Sequence, residues 1–531
     1  MASLLKEKNK RMTGKNGFIT RIALIVALGG FLMGFDASVI SGVVKFIEPE
    51  FSLTKLQLGW SVASLTLTAT LAMMVSGPLS DRYGRRSVLK VAAILYAVSA
   101  LGSAIAPTFL LLVIARMVGG LGVGASLILA PMYIAEIAPP SMRGRMVSFN
   151  QLNIVIGISV AFFTNYLILS WGQSDASWAA ALKLDEYNWR WMLGLEFLPA
   201  ALYFFGLYFV PKSPRWLVMK GQTDQALLVM QKFTDVEDAR KQINEAVQSI
   251  EADSKKEKVA LTEFFKPAYR TVLVIGIIVA VLQQITGINS VFFYAPMIFE
   301  QSGIGTDASF IQAILVGLTN LVFTVLALMF IDKLGRKPLL IGGLAGITLS
   351  MALLAYGFGA ATYKLTEDKL ASLPAEVTNA DLTLLVNVEY SDDVSFKEAI
   401  RAALGDEMGL TYESQLVTAS IDMNPTLILV GILGFVASFA ISIGPVMWVL
   451  FSELFPIGIK GAAISFVGFI NSAVSYLVQQ FFPWELATFG SSITFLIYGT
   501  FAFLGLLFVI RAVPETKGKT LEELEELLVK K

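Results

Sequence analysis

The chain has 531 residues, 55% of them hydrophobic and only 15% charged, and its formal charges cancel. Soluble proteins carry about 25% charged residues, so with a mean hydropathy of +0.67 the chain reads as a polytopic membrane protein rather than a large soluble domain. Cys and His are both absent, which excludes disulfides, thiolate nucleophiles and Cys metal sites and leaves any proton chemistry to Asp and Glu; zero net charge gives no hint of nucleic-acid binding.

Residues 1–17 hold Lys6, Lys8, Lys10, Arg11 and Lys15. No A-x-A cleavage site follows the first apolar run, so that run is read as a retained span. Segments long enough to cross a bilayer fall near 18–42, 57–77, 88–106, 109–135, 147–169 and 191–210. Six more fall near 271–299, 309–331, 338–361, 425–450, 461–481 and 485–510. The fold class is therefore an all-α membrane protein of twelve transmembrane helices in two six-helix halves. Gly and Pro inside several spans predict bent or broken helices. The expected parts are an N-terminal half at 1–210, a cytoplasmic linker with short helices at 211–270, a second half at 271–511 and a cytoplasmic tail at 512–531.

Span 1 carries a lone charge, Asp36, in "GFDASVISG" (34–42). A carboxylate in an apolar segment must be wet, paired or protonated. Arg116, inside span 4 and followed by "GGLGVGAS", is its natural partner, because an intramembrane Arg also needs a carboxylate or water. Protonating Asp36 would break the pair and free Arg116, a proton switch without histidine; a permanent structural ion pair is the other reading. Glu196 in span 6 is a second internal carboxylate able to join them.

The loops after spans 2, 4, 8 and 10 are basic, with Arg82, Arg85, Arg86 and Lys90, then Arg143 and Arg145, then Lys333, Arg336 and Lys337, then Lys460. They fall on the side of the basic N-terminus, which puts both termini in the cytoplasm. "SDRYGRR" (80–86) matches "IDKLGRK" (331–337), setting Asp81 against Asp332 and Arg85 against Arg336. "EIAPPSMRG" (136–144) matches "ELFPIGIKG" (453–461) in the same way. Two motifs in order within each half indicate a duplicated six-span unit, the build of many secondary transporters. Asp81, Arg85, Glu136, Arg336 and Glu453 are candidate conformational latches: the pairs Arg85–Glu136 and Arg336–Glu453 would tie helices together at the cytoplasmic rim. Setting topology is the plainer role for the same charges.

Between the halves, "TDQALLVMQKF" and "VEDARKQINEAVQSIEA" read as short amphipathic helices, either a brace or a passive connector. In span 7, "QQITGIN" (283–289) places Gln283, Gln284 and Asn289 around Thr286-Gly287. Helical spacing alone does not put the three amides on one face, but a break at Gly287 would let them converge. Amides donate and accept, which suits a neutral polyhydroxylated ligand. Gln151, Asn320, Trp448 and Asn471 add polar or aromatic groups in spans 5, 8, 10 and 11. Segment 362–422 holds twelve Asp or Glu and four Lys or Arg, falls on the outer side, and reads as a small ordered cap or a floppy loop.

These stretches, with "PKSPRW" (211–216), "GPVMWVLFSELFP" (444–456) and "PETKG" (514–518), resemble the sugar porter family of the major facilitator superfamily, and most of all its bacterial proton-coupled xylose and hexose porters. The resemblance covers nearly the whole chain except 362–422. It implies a site for a monosaccharide formed by Gln151, Gln283, Gln284, Asn289, Asn320, Trp448 and Asn471, and proton coupling at Asp36 with Arg116. Facilitative carriers of the family have Asn at the Asp36 position, so Asp36 favours symport. Departures from what the resemblance implies are Lys212 where the family has a carboxylate, Phe293 where its xylose porters have a ligand-contacting Tyr, Met33 for a Phe, and Asn471-Ser472 for a Gln-Trp pair.

The expected function is proton-coupled symport of a pentose or hexose by alternating access in a bacterial inner membrane, by a monomer in the lipid bilayer. It needs no cofactor or metal and is not enzymatic; no G-x-x-x-x-G-K-[ST] loop is present to hydrolyse ATP. The alternatives are a sugar or inositol uniporter, and a membrane sugar sensor, which the short tail after span 12 disfavours.

Overall fold

The computed structural model describes residues 2–139, 142–255, 267–370, 385–456 and 459–519, with 373, 377, 382, 523 and 524. The side chain of Arg143, the end of the linker at 256–266, the rest of 371–384 and most of the tail beyond 519 lie outside the described residues.

Among the described residues, ten helices are long and apolar enough to cross a bilayer. One of them, Lys460–Ala512, is two helices meeting at Gly490 (φ 76°, ψ 166°) and supplies spans 11 and 12. Span 6 falls outside the ten because it is not one helix, as its apolar run predicts, but two short ones, Asn188–Gly194 and Phe197–Gly206. Pro199 accounts for the interruption, since it has no N–H for the Leu195 carbonyl. Glu196 sits in the gap. Twelve spans result.

The chain divides into two compact units: Met1–Ala37, Ser64–Ile158 and Leu193–Lys258 form the first, and Ser38–Ala63, Ser159–Met192 and Val259–Lys531 the second. In the first unit, the small residues of span 4 (Phe109–Ile137) bring it against span 2 (Lys55–Tyr83). A Cβ on Gly120 would fall 2.3 Å from the Leu65 carbonyl oxygen, and one on Gly124 2.1 Å from that of Ala69, so only glycine permits this approach. Three helices between the halves, Pro214–Met219, Thr223–Met230 and Val236–Lys255, belong to this unit too. Ala226, Met230, Phe233, Ala239 and Ile243 share a core with Ile19, Ile22, Leu129 and Tyr133, and the Phe18 ring stacks on Phe233 at 5.5 Å. The apolar stripe of these helices thus finds its partner on spans 1 and 4.

In the second unit, the described residues of segment 362–422 build an ordered cap despite the acidic composition of the segment. Strand β1 (Thr362–Lys364) pairs antiparallel with β2 (Glu389–Tyr390) and β3 (Ile421–Asp422), and a helix bent at Gly405 spans Asp393–Ser420. Tyr363, Leu365, Phe396, Ile400, Leu416 and Val417 are buried together beneath them. Asp393 accepts from the Ser491 amide at 3.3 Å, and Ser414 donates to Glu300 at 3.0 Å, which also pairs with Lys45 at 2.5 Å. Burial opposes ionisation of Glu413, yet Lys55, Lys397 and Arg401 around it hold its carboxyl below the usual range.

Candidate functional site

Span 7 is split into helices Arg270–Ile285 and Ile288–Glu300 by Gly287, whose φ of 89° is left-handed. Glycine adopts this conformation without the steric cost any other residue meets. The break turns Asn289 back toward Gln284, five residues earlier, and the Asn289 side-chain amide donates to Gln284 Oε1 at 2.8 Å. Gln284 donates to Gln283 Oε1 and to Asn471 Oδ1, both at 3.2 Å. Asn471 donates to Gln283 Oε1 at 2.8 Å and to the Ala280 carbonyl at 2.9 Å. Gln283 donates to the Gly444 carbonyl at 3.1 Å, just past the irregular Ser442 (φ −125°, ψ −105°) that interrupts span 10. Four of the seven sugar-site candidates therefore form one network.

Two further members were not among the sequence candidates. Ser475 accepts from Asn289 and from Gln479, each at 2.7 Å. Asn471, Ser475 and Gln479 recur every fourth residue, which puts them on one face of span 11; that spacing is the signal in the sequence. Asn320 is buried in span 8 of the same unit. Trp448 is 47% exposed, and its ring meets Phe451 edge-on at 6.0 Å. Gln151 is exposed on span 5 in the first unit.

The first unit holds the acids. Asp36 Oδ1 lies 3.6 Å from Arg116 Nη1, and both residues are 1% exposed. Gly119 makes the room: a Cβ there would fall 2.8 Å from Asp36 Oδ2. Glu196, 2% exposed, is within electrostatic range of both charges. Asp36 Oδ2 and Glu196 Oε1 accept no hydrogen bond among the described residues. Two buried carboxylates thus lie within electrostatic range of the Arg116 guanidinium, with Asp36 the one in contact with it.

The duplicated motifs form matching constellations. In the first unit, Arg85 donates to Glu136 at 3.1 Å and to the Ser80 carbonyl at 3.2 Å, and meets Asp81 at 2.7 Å. Ser213 donates to the other oxygen of Glu136. In the second unit, Arg336 grips Glu453 through two bonds of 2.7 and 3.1 Å, reaches the Ile331 carbonyl at 3.2 Å, and meets Asp332 at 3.0 Å. Thr516 donates to Glu453 at 2.6 Å. Ser213 of "PKSPRW" and Thr516 of "PETKG" are therefore equivalent, and so are their preceding residues, Lys212 and Glu515. Glu515 caps span 9 (Arg336–Gly359), accepting from the Arg336 and Lys337 amides at 3.1 and 3.0 Å. Burial opposes its ionisation, but these amides and those of Thr516 and Lys517 hold its carboxyl below the usual range. At the start of span 3 (Arg85–Ala104) the Gly84 N-cap has no side-chain hydrogen bond among the described residues, and Lys212, the residue equivalent to Glu515, holds its ammonium 5.6 Å over the Trp216 ring.

A family model described as "Sugar (and other) transporter" matches residues 22–375 and 408–528. The chain belongs to this family. As a sugar porter it is a transport protein rather than an enzyme, with the twelve-helix major facilitator fold. The arabinose-proton symporter of Bacillus subtilis (strain 168) is 33% identical over 515 residues, covering 97% of this chain and 96% of the relative. The D-xylose-proton symporter of Escherichia coli (strain K12) is 35% identical over 544 residues, covering 96% of each. Among solved structures, the major facilitator proton:xylose symporter XylE bound to 6-bromo-6-deoxy-D-glucose matches with a TM-score of 0.65 and 34% identity, over 97% of this chain and all of that one.

Proposed function

We propose that the chain carries a monosaccharide, a pentose or a hexose, together with a proton across a bacterial inner membrane by alternating access. The observation that carries the coupling is the buried cluster of Asp36, Arg116 and Glu196. An uncompensated buried charge costs several kcal/mol, so two carboxylates around one guanidinium favour binding a single proton. Asp36, in contact with Arg116, is the proton site. Glu196 offers Arg116 a second partner while Asp36 is protonated. Relatives named as proton symporters of arabinose and D-xylose support this reading.

Gln283, Gln284, Asn289 and Asn471, with Gln151, Asn320 and Trp448, bind the sugar. The amides of the second unit pair with one another, so sugar hydroxyls can exchange with them donor for donor and acceptor for acceptor. Asp81, Arg85, Glu136, Arg336 and Glu453 act at the cytoplasmic rim, where the ion pairs hold helices together and part during the cycle. The basic loops put both termini in the cytoplasm and the cap outside, and the monomer is the working unit. Counterflow in proteoliposomes with a panel of pentoses, hexoses and inositols tests the substrate class. Exchange of a pentose or hexose is expected; exchange confined to inositols, or none, overturns it.

A further inference from the structure

Span 7 is irregular at two residues, Gly287 (φ 89°, ψ 17°) and Tyr294 (φ −125°, ψ 17°). One column of aromatic rings from spans 11 and 12 stands against both. Tyr498 fills the space beside Gly287: a Cβ on residue 287 would fall 2.5 Å from its Cδ2 and 2.7 Å from its Cε2. The Tyr498 ring stacks on Phe482, with centroids 6.3 Å apart and planes at 19°. Phe482 in turn meets the Tyr294 ring at 5.2 Å, and the Tyr294 hydroxyl donates to the Gln479 carbonyl at 3.2 Å. The column ends on a carboxylate, with the Tyr498 hydroxyl donating to Glu485 Oε2 at 2.7 Å.

Glu485 lies in an apolar helix, between Pro483 and the bend at Gly490. Its side chain is half-buried, and a carboxylate in an apolar helix whose hydrogen-bond donor is the hydroxyl of a packed ring calls for a role. Neither the proton cluster nor the amide network uses it. What it does touch is the ring that occupies the break. A ring held by packing alone can slide along its neighbours, whereas a hydrogen bond to a carboxylate is short and directional and fixes it. Gly287 lies between Gln284 and Asn289, so the position of Tyr498 sets how sharply span 7 turns and how closely these two amides approach, here 2.8 Å.

We propose that Glu485, acting through Tyr498, is a positioning residue for the sugar site: it holds the span 7 break in the register that brings Gln283, Gln284 and Asn289 together. The proposal rests on those amides binding the sugar. Tyr498→Phe keeps the ring over Gly287 and removes only the hydroxyl, Glu485→Ala removes the acceptor, and Glu485→Gln keeps a neutral one.

Binding of D-xylose and D-glucose is measured by calorimetry on purified full-length protein, with uptake kinetics and melting temperature alongside and Gln283→Ala as the reference. Tyr498→Phe and Glu485→Ala each weaken binding about fivefold, raising KM with maximal uptake within about twofold. Glu485→Gln recovers most of the affinity, and the double variant Tyr498→Phe/Glu485→Ala is no weaker than either single one, as for two halves of one interaction. If Gln283→Ala loses affinity while Tyr498→Phe and Glu485→Ala keep it, the brace is overturned and the sugar site stands. Lower melting temperatures with unchanged affinity overturn it too, since the pair is then purely structural. Wild-type affinity in Gln283→Ala, or no binding of either sugar to the wild type, overturns the sugar site and the brace with it.

Discussion

The mismatch between Lys212 and Glu515 gives a prediction that can be worked through from bond geometry. Glu515 accepts three backbone N–H bonds, from Arg336 at 3.1 Å, Lys337 at 3.0 Å and Lys517 at 2.8 Å. The first two come from the opening turn of span 9, whose amides have no partner within the helix. Capping bonds of this kind contribute about 0.5–2 kcal/mol, and a negative charge at a helix N-terminus adds about 0.3–1 kcal/mol at an exposed position. Glu515→Gln keeps one acceptor oxygen and loses the charge, so it should cost about 1 kcal/mol. Glu515→Lys removes every acceptor and should cost about 2 kcal/mol. The reverse change, Lys212→Glu, supplies the missing cap to span 3 and should stabilise by about 0.5–1 kcal/mol. The assay is thermal unfolding in detergent, where differences of this size move the midpoint by roughly 1–2 °C in a chain of this length. The effect of Glu515 also has a pH signature. Its folded-state value is depressed below the ordinary 4.5, so its contribution is complete above that pH and disappears as pH falls through the lower folded value. The wild type and Glu515→Gln should therefore differ at pH 7 and converge in acid. A Lys212→Glu variant less stable than the wild type, or a gap to Glu515→Gln that widens in acid, would refute the equivalence of the two motifs.

Two further predictions concern the sugar site and the latches. Gln283→Ala and Asn289→Ala should each weaken sugar binding about tenfold or more, because a ligand hydroxyl or a neighbouring amide loses its partner in a buried network; calorimetry reads this directly, and unchanged affinity in both would remove span 7 from the site. Glu136→Gln and Arg336→Ala should leave sugar affinity within about twofold while slowing net uptake, with Arg336→Ala also costing about 2 kcal/mol because Glu453 loses two charge-assisted bonds; uptake at the wild-type rate with wild-type stability would reduce these charges to topology anchors.

Much of the fold was legible because a membrane imposes simple rules. Twelve apolar runs and two repeated basic motifs survive any uncertainty in helix edges. Span 6 departed from a single helix because Pro199 removes one backbone donor, an effect that hydropathy does not register. The order of the cap was hidden for the opposite reason. Its twelve acids dominate the composition, while the core under them rests on a few residues far apart in sequence, Tyr363, Phe396 and Val417 among them. Within the candidate site, Gln283, Gln284 and Asn289 stood out as amides in an apolar run beside a glycine. Ser475 and Gln479 did not, since one hydroxyl or amide in a span is commonplace, and only their fourfold spacing from Asn471 marks them. The contact of Glu485 with Tyr498 spans the bend at Gly490 and depends on how two helices pack, which no local pattern encodes. Lys212 stands out in the sequence where the family has a carboxylate, but the role it leaves empty is set by the contact Glu515 makes with the first turn of span 9, which no local pattern encodes.

The measurement closest to the central claim is sugar uptake by Asp36→Asn in proteoliposomes, with and without an inward proton gradient, together with sugar-induced alkalinisation outside. The substitution removes the titrating group and keeps the shape of the side chain. It leaves Arg116 without that carboxylate, so folding and sugar binding are checked in the same preparation. The account predicts that Asp36→Asn still binds sugar and retains passive exchange but loses gradient-driven accumulation and the alkalinisation. Accumulation that still follows the proton gradient in Asp36→Asn would contradict it, and Glu196 would then be the carboxylate to replace.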